Sequence, residues 1–137
     1  MQEKQIEISS EYEKVGDVCE LFRGFCLENN LSEMISVKLE ICLTEALNNV
    51  IKHSYEGKPG NKINVDFSYL DKLLKISISE YGKPREKFEK PTLEFDPADI
   101  ENLPEGGMGL FIIEEIMDET KYHSDGKTNT FIMIKNI

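Results

Sequence analysis

The sequence is short of basic residues: 16 Lys and Arg stand against 26 Asp and Glu, a formal net charge of -10 over 137 residues. Phosphate backbones are held by clustered Lys and Arg, so this balance speaks against a nucleic-acid binder and suits a partner with a basic surface. Long apolar runs are also missing. None approaches the roughly 18 residues that span a bilayer, and Met1 to Ile6 lacks the apolar core of a secretion signal. A cytoplasmic protein that meets no membrane is the expectation. Cysteine is scarce: Cys19, Cys26 and Cys42 lie among apolar neighbours, without the spacing or His partners of a zinc site. They read as reduced core thiols. The acidic total does not exclude an anionic nucleotide, because a metal ion and local backbone N–H groups decide that binding.

What is present suits one globular domain. A hydrophobic content of 39% with 31% charged residues is ordinary for a folded protein, and 137 residues make one core, not two. A single domain over 1–137 is expected. Gln5 to Ser9 alternates as a short strand. Ser10 followed by Glu13 has the form of a capping box, opening a helix through about Asn29 on Val15, Val18, Cys19, Phe22 and Cys26. Asn29-Asn30 breaks it, and Ser32 can cap a second helix that runs to about Ser54. After a turn over 56–61, Ile63, Val65, Phe67 and Tyr69 alternate, then Leu74, Ile76 and Ile78. The short link Leu70-Asp71-Lys72 predicts an antiparallel hairpin. From Lys83 to Gly106 periodicity stops and four of the five prolines gather, as expected of a lid or a surface loop. Gly106-Gly107-Met108-Gly109-Leu110 then leads into a helix to about Met117, and Thr130 to Lys135 forms a last strand. The predicted order is β-α-α-β-β-lid-α-β.

The second helix carries the chemistry. At about 100° per residue, Glu45, Asn49, Lys52 and His53 fall within roughly a 100° arc. Ile35, Leu39, Cys42, Leu43, Ala46 and Val50 form a neighbouring apolar face that can anchor it. Glu45 can take a proton or position a water, Asn49 can offer its carbonyl oxygen to Mg²⁺, and Lys52 can meet a phosphate. Taken alone, a solvated helix face would look the same. Glycines before a helix let backbone approach a ligand, and a helix N-terminus favours negative charge, but such turns are common without phosphate.

Together and in this order, the pieces resemble the GHKL ATPase superfamily (gyrase, Hsp90, histidine kinase, MutL), and most of all its small anti-sigma-factor serine kinases. Glu45-x-x-x-Asn49-x-x-x-His53 looks like the family's N box, and Gly107-Met108-Gly109-Leu110 like its glycine-rich box. The resemblance implies a Bergerat-type α+β two-layer sandwich. In it a mixed, mostly antiparallel sheet is covered on one face by helices, with an ATP lid over about 83–106. It implies ATP and Mg²⁺ as cofactors, Glu45 as catalytic base, Asn49 as metal ligand, and Lys52 and His53 near the phosphates. Gly107, Met108, Gly109 and Leu110 would close over the triphosphate, and Thr130 would lie close to adenine. The family's adenine box, Asp-x-Gly-x-Gly, reads Glu80-Tyr81-Gly82-Lys83-Pro84 here, so Glu80 would receive the adenine amino group beside Gly82. The implied activity is phosphorylation of a serine on a small antagonist protein, with a sigma factor as competing partner and a homodimer as the assembly. The alternative is a regulator of the same fold that transfers no phosphate and acts by protein binding. Glu80, Pro84, Asn129 in place of a glycine, and Glu105 before the glycines favour it.

Overall fold

The computed structural model describes residues 2–84 and 108–137. Five strands, β1 (Gln2–Ser9), β2 (Lys62–Leu70), β3 (Leu73–Glu80), β4 (Glu119–Ser124) and β5 (Asn129–Asn136), form one sheet. Three helices, α1 (Tyr12–Glu28), α2 (Glu33–Asn49) and α3 (Met108–Ile116), accompany it among the described residues. The strand order is β1-β2-β3-β5-β4. All four pairings are antiparallel, so the mixed sheet of the sequence expectation is not seen among these strands.

Burial divides the sheet into two faces. Ile8, Ile63, Val65, Phe67, Leu74, Ile76, Ile78, Phe131 and Met133 are buried on one, while the residues between them stay half-exposed or exposed. That is the period-two signature of a sheet packed on one side. α1 lies against β1 and β2 and alongside α2, and α2 lies beside α3. Phe67 from the sheet meets Phe22 and Phe25 of α1, at ring-centroid distances of 4.9 and 5.8 Å. All three cysteines are buried free thiols, as expected, and burial pushes the Cys42 thiol up to about 12.

Local chemistry sets the boundaries. Ser32 caps α2, its hydroxyl accepting from the Ile35 N–H at 3.2 Å. Ser10 does not cap α1. Glu11 holds the cap position without a side-chain bond. The Ser10 hydroxyl instead donates to the Lys58 carbonyl (2.7 Å) and accepts from the Asn61 N–H (3.0 Å), tying the start of α1 to the turn before β2. Asp71 and Lys72 join β2 to β3 with φ of 50° and 65°, the two left-handed residues of a type I′ hairpin. β4 is absent from the sequence reading. It is an edge strand with no buried residue, so its sequence carries no apolar alternation.

The second helix does not run evenly to Ser54. After Asn49 it widens into a π-helical turn, Val50–Ser54, in which the Tyr55 N–H bonds the Val50 carbonyl five residues back at 3.1 Å. Such turns are rare and often mark functional sites.

Candidate functional site

A cavity of about 30 Å³ lies between the end of α2 and the inner face of the sheet. Ala46, Asn49, Val50 and Ser54 line it from the helix side, Leu110 from α3, and Ile78, Glu80, Tyr122, Asn129 and Phe131 from the sheet. This volume holds one or two waters. Two polar atoms beside it are buried without a hydrogen bond, Glu80 Oε2 and Asn49 Nδ2. Buried polar groups are nearly always satisfied, so these two atoms are available to water or to a ligand in the cavity.

Glu80 is 3% exposed. Its Oε1 accepts from Asn129 Nδ2, the residue directly across the β3–β5 ladder. Burial pushes its carboxyl above the usual range, and Ser54, Asn129 and the Gly82 N–H offset part of that rise. A carboxyl with a raised folded pKa adds stability below its ordinary value, here 4.5, and loses it as pH rises through the raised one. Glu80→Gln keeps an acceptor for Asn129 and removes the charge. The variant should therefore melt a few degrees above wild type at pH 7, the gap closing towards pH 4. Melting curves across that range check this, and a constant difference would overturn it.

The strand end that carries Glu80 is fastened to the π-helical turn. The Tyr55 hydroxyl donates to the Lys62 carbonyl (2.5 Å) and accepts from the Tyr81 N–H (2.8 Å), and the Lys83 N–H donates to the Ser54 carbonyl (2.8 Å). Gly82 sits between them without room for a side chain. A Cβ there would collide with the Ser54 carbonyl oxygen and lie 2.8 Å from Tyr55 Cδ1.

On the opposite side, Gly109 in the first turn of α3 lies against Glu45 and Asn49. A Cβ on it would stand 2.7 Å from Glu45 Oε2 and 3.4 Å from Asn49 Nδ2. The structure thus brings Glu45, Asn49, Gly109 and Leu110 together, and Glu80 with Gly82. Met108 opens α3, and Gly107 and most of the expected lid, from residue 85 on, lie outside the described residues.

Three of the expected site residues, Lys52, His53 and Thr130, do not line this cavity. Lys52 points to solvent and His53 is half-buried, and neither lines the cavity. The π-helical turn is the reason, because one wide turn on from Asn49 falls at Ser54. Thr130 also stays away. Its hydroxyl pairs with that of Ser79 at 3.3 Å on the sheet's outer face, and Asn129, one residue earlier, faces the cavity. Ser54 and Asn129 are therefore cavity residues that the sequence reading did not assign. The buried Phe131 and Met133 share a strand face with Asn129, and that parity was the available signal.

The residues fit a nucleotide with Mg²⁺. Glu80 Oε2 can accept from a base amino group, and the Asn49 amide, turned over, presents Oδ1 where Nδ2 now lies. Among the described residues no cluster of three or more His, Cys, Asp or Glu could hold a metal alone. Mg²⁺ bound through phosphates needs only one or two protein ligands.

A one-sided antiparallel sheet with a cavity under its covering helices defines an α+β domain with a candidate ligand site in the cleft. This chain belongs to the family of histidine kinase-like ATPase domains, whose model matches residues 8–135. Membership implies use of ATP. The chain is 33% identical over 89 residues to the serine-protein kinase RsbW of Oceanobacillus iheyensis, covering 63% of this chain and 56% of that protein. It is 39% identical over 95 residues to the serine-protein kinase RsbW of Staphylococcus aureus strain MRSA252, with 65% and 59% covered. For the Listeria monocytogenes protein of that name the figures are 32% over 91 residues, with 64% and 57% covered. The matches thus span less than two thirds of those relatives. The solved RsbU and RsbW domains of a Mycobacterium tuberculosis protein superpose on 99% of this chain and 32% of theirs. The TM-score is 0.70 at 12% identity, which shows a shared fold. No helix among the described residues is long and apolar enough to cross a membrane.

Proposed function

We propose that the chain is an ATP-dependent serine-protein kinase domain, an anti-sigma-factor-like cytoplasmic regulator that phosphorylates a small antagonist protein. The observation that carries this reading is the contact of Gly109 with Glu45 and Asn49 beside a cavity whose sheet side holds the unsatisfied Glu80 Oε2. Mg²⁺, when bound, neutralises phosphate charge and fixes the phosphates for in-line attack. Asn49 would hold the metal through Oδ1. Glu80 would hold the base. Glu45 would accept the serine hydroxyl proton as that oxygen attacks the γ-phosphorus, the bond to the leaving ADP oxygen breaking as the new one forms.

A protein substrate suits the surface that leads to Glu45. Met34, Val37 and Ile41 are exposed apolar side chains at helical intervals on α2, with exposed Leu27 of α1 beside them. Shallow hollows of about 290 and 360 Å³ follow this stripe, and the second is lined by Val37, Glu40, Ile41, Thr44 and Glu45 itself. Exposed apolar stripes of this kind mark protein contacts. A protein laid along α2 would bring a hydroxyl to the carboxylate at the end of the stripe. A sigma factor competing for the chain and a homodimer belong to the same proposal.

The second reading is a regulator that binds protein partners and transfers no phosphate. The narrowness of the cavity favours it, since a purine enters only if the walls part. Calorimetric titration with Mg-ATP separates the two. Micromolar binding supports the kinase, and no binding leaves the regulator. Asn49→Ala should then weaken Mg-ATP at least about tenfold and leave metal-free ATP unaffected. Equal loss with and without Mg²⁺ would remove Asn49 as the metal ligand.

A further inference from the structure

Asn129 is held at both ends of its amide, with both Nδ2 hydrogens engaged. Its Oδ1 accepts from the Ser124 hydroxyl at 2.5 Å, while Nδ2 donates to Glu80 Oε1 and to the Gly82 carbonyl at 3.0 Å. A carbonyl only accepts, so the Gly82 contact fixes which end of the amide faces the cavity. The Ser124 hydroxyl in turn accepts from the Gly126 N–H at 3.2 Å, which anchors the chain of bonds in the β4–β5 turn. Glu80 therefore stands beside the cavity with Oε1 held by Asn129 and Oε2 making no hydrogen bond of good geometry. Ser54 and the Gly82 N–H nevertheless lie near enough to its carboxyl to favour the charged form.

We propose that Asn129, oriented by Ser124, is a specificity-determining residue that makes Glu80 a one-oxygen acceptor and so selects adenine over guanine. This selection presupposes the proposed nucleotide site. Adenine offers its exocyclic amino group as a single donor beside an unprotonated ring nitrogen, which one carboxylate oxygen suits. The guanine edge offers two adjacent donors, the ring N1–H and the exocyclic amino group. A free carboxylate meets both with its two oxygens, the bidentate fit that carboxylates give to forked donors. Tying Oε1 to Asn129 engages that oxygen in the β3–β5 seam, so a guanine placed there would have to share it with the amide or leave one donor unpaired in a buried site, a costly mismatch. The sequence alone shows Glu80 and Asn129 as two separate departures from the family's pattern. The structure shows them bonded to each other across the ladder.

The test is calorimetric titration of wild type, Asn129→Gly and Ser124→Ala with Mg-ATP and Mg-GTP, with melting temperatures recorded for each. Wild type should prefer ATP. Asn129→Gly, which frees Oε1, should reduce the ATP-to-GTP affinity ratio by about tenfold, mainly by improving GTP. Ser124→Ala leaves the buried amide in place but lets it turn, and should shift the ratio the same way by less. A ratio unchanged in both variants, with only melting temperature lowered, would make the chain of bonds structural and overturn the inference. Should Asn129→Gly fail to fold, the ratio for Ser124→Ala decides alone. Failure of wild type to bind either nucleotide would instead overturn the nucleotide-site reading on which the inference rests.

Discussion

Glu45→Gln should slow the release of phosphate from Mg-ATP by about 10²–10⁴-fold, the usual worth of a positioned general base. Affinity for Mg-ATP should stay within about twofold of wild type. In this assay water stands in for the serine hydroxyl, so the base can be tested without the protein substrate. Gln is the informative replacement because it keeps the shape of the side chain. Glu45 Oε2 fills the space where a Gly109 side chain would start, so truncation to Ala would open a hole and confuse a lost base with a loosened helix contact. Turnover unchanged in Glu45→Gln would remove the carboxylate from the mechanism. A large loss of thermal stability would instead assign it a structural role.

The second large effect is expected at Gly82. Gly82→Ala drives a Cβ into the Ser54 carbonyl, and backbone at the end of a tied helix cannot step aside as a side chain could. The expected cost is about 3 kcal/mol or more, a fall in melting temperature of roughly 10 °C, with the Lys83-to-Ser54 and Tyr81-to-Tyr55 hydrogen bonds lost together. Gly109→Ala is the contrast. Its nearest neighbour is the end of the flexible Glu45 side chain, so folding should survive while phosphate release falls as the carboxylate is displaced. Differential scanning calorimetry on both variants checks the pair. If Gly109→Ala unfolded the protein as readily as Gly82→Ala, the distinction between a backbone seam and a functional contact would fail.

Much of the fold was legible because its signals are local. Asp71-Lys72 between two alternating runs announces the hairpin, and Ser32 caps α2 by the hydroxyl-to-N–H bond its position predicts. The pairing of a helical acid and amide with a downstream glycine was also legible, and the structure puts Gly109 against both Glu45 and Asn49. What escaped depends on partners distant in sequence. Ser10 forgoes its helix for Lys58 and Asn61, about fifty residues away. β4 is held by main-chain bonds to β5, which its polar side chains do not advertise. Thr130 and Asn129 look equally plausible until the buried side of β5 is known. Mutual compensation between Glu80 and Asn129 has no local signal at all, since 49 residues separate them.

The widened turn after Asn49 changes how this helix can be compared with others. One additional residue is accommodated before the chain leaves for β2, so positions downstream of Asn49 are out of phase with those on an evenly wound helix. Equating residues by their distance from Asn49 would assign a neighbour's phosphate-side role to Lys52 or His53. Position in space instead puts Ser54 on the cavity side, where its carbonyl accepts from the Lys83 N–H in the seam between helix and strand.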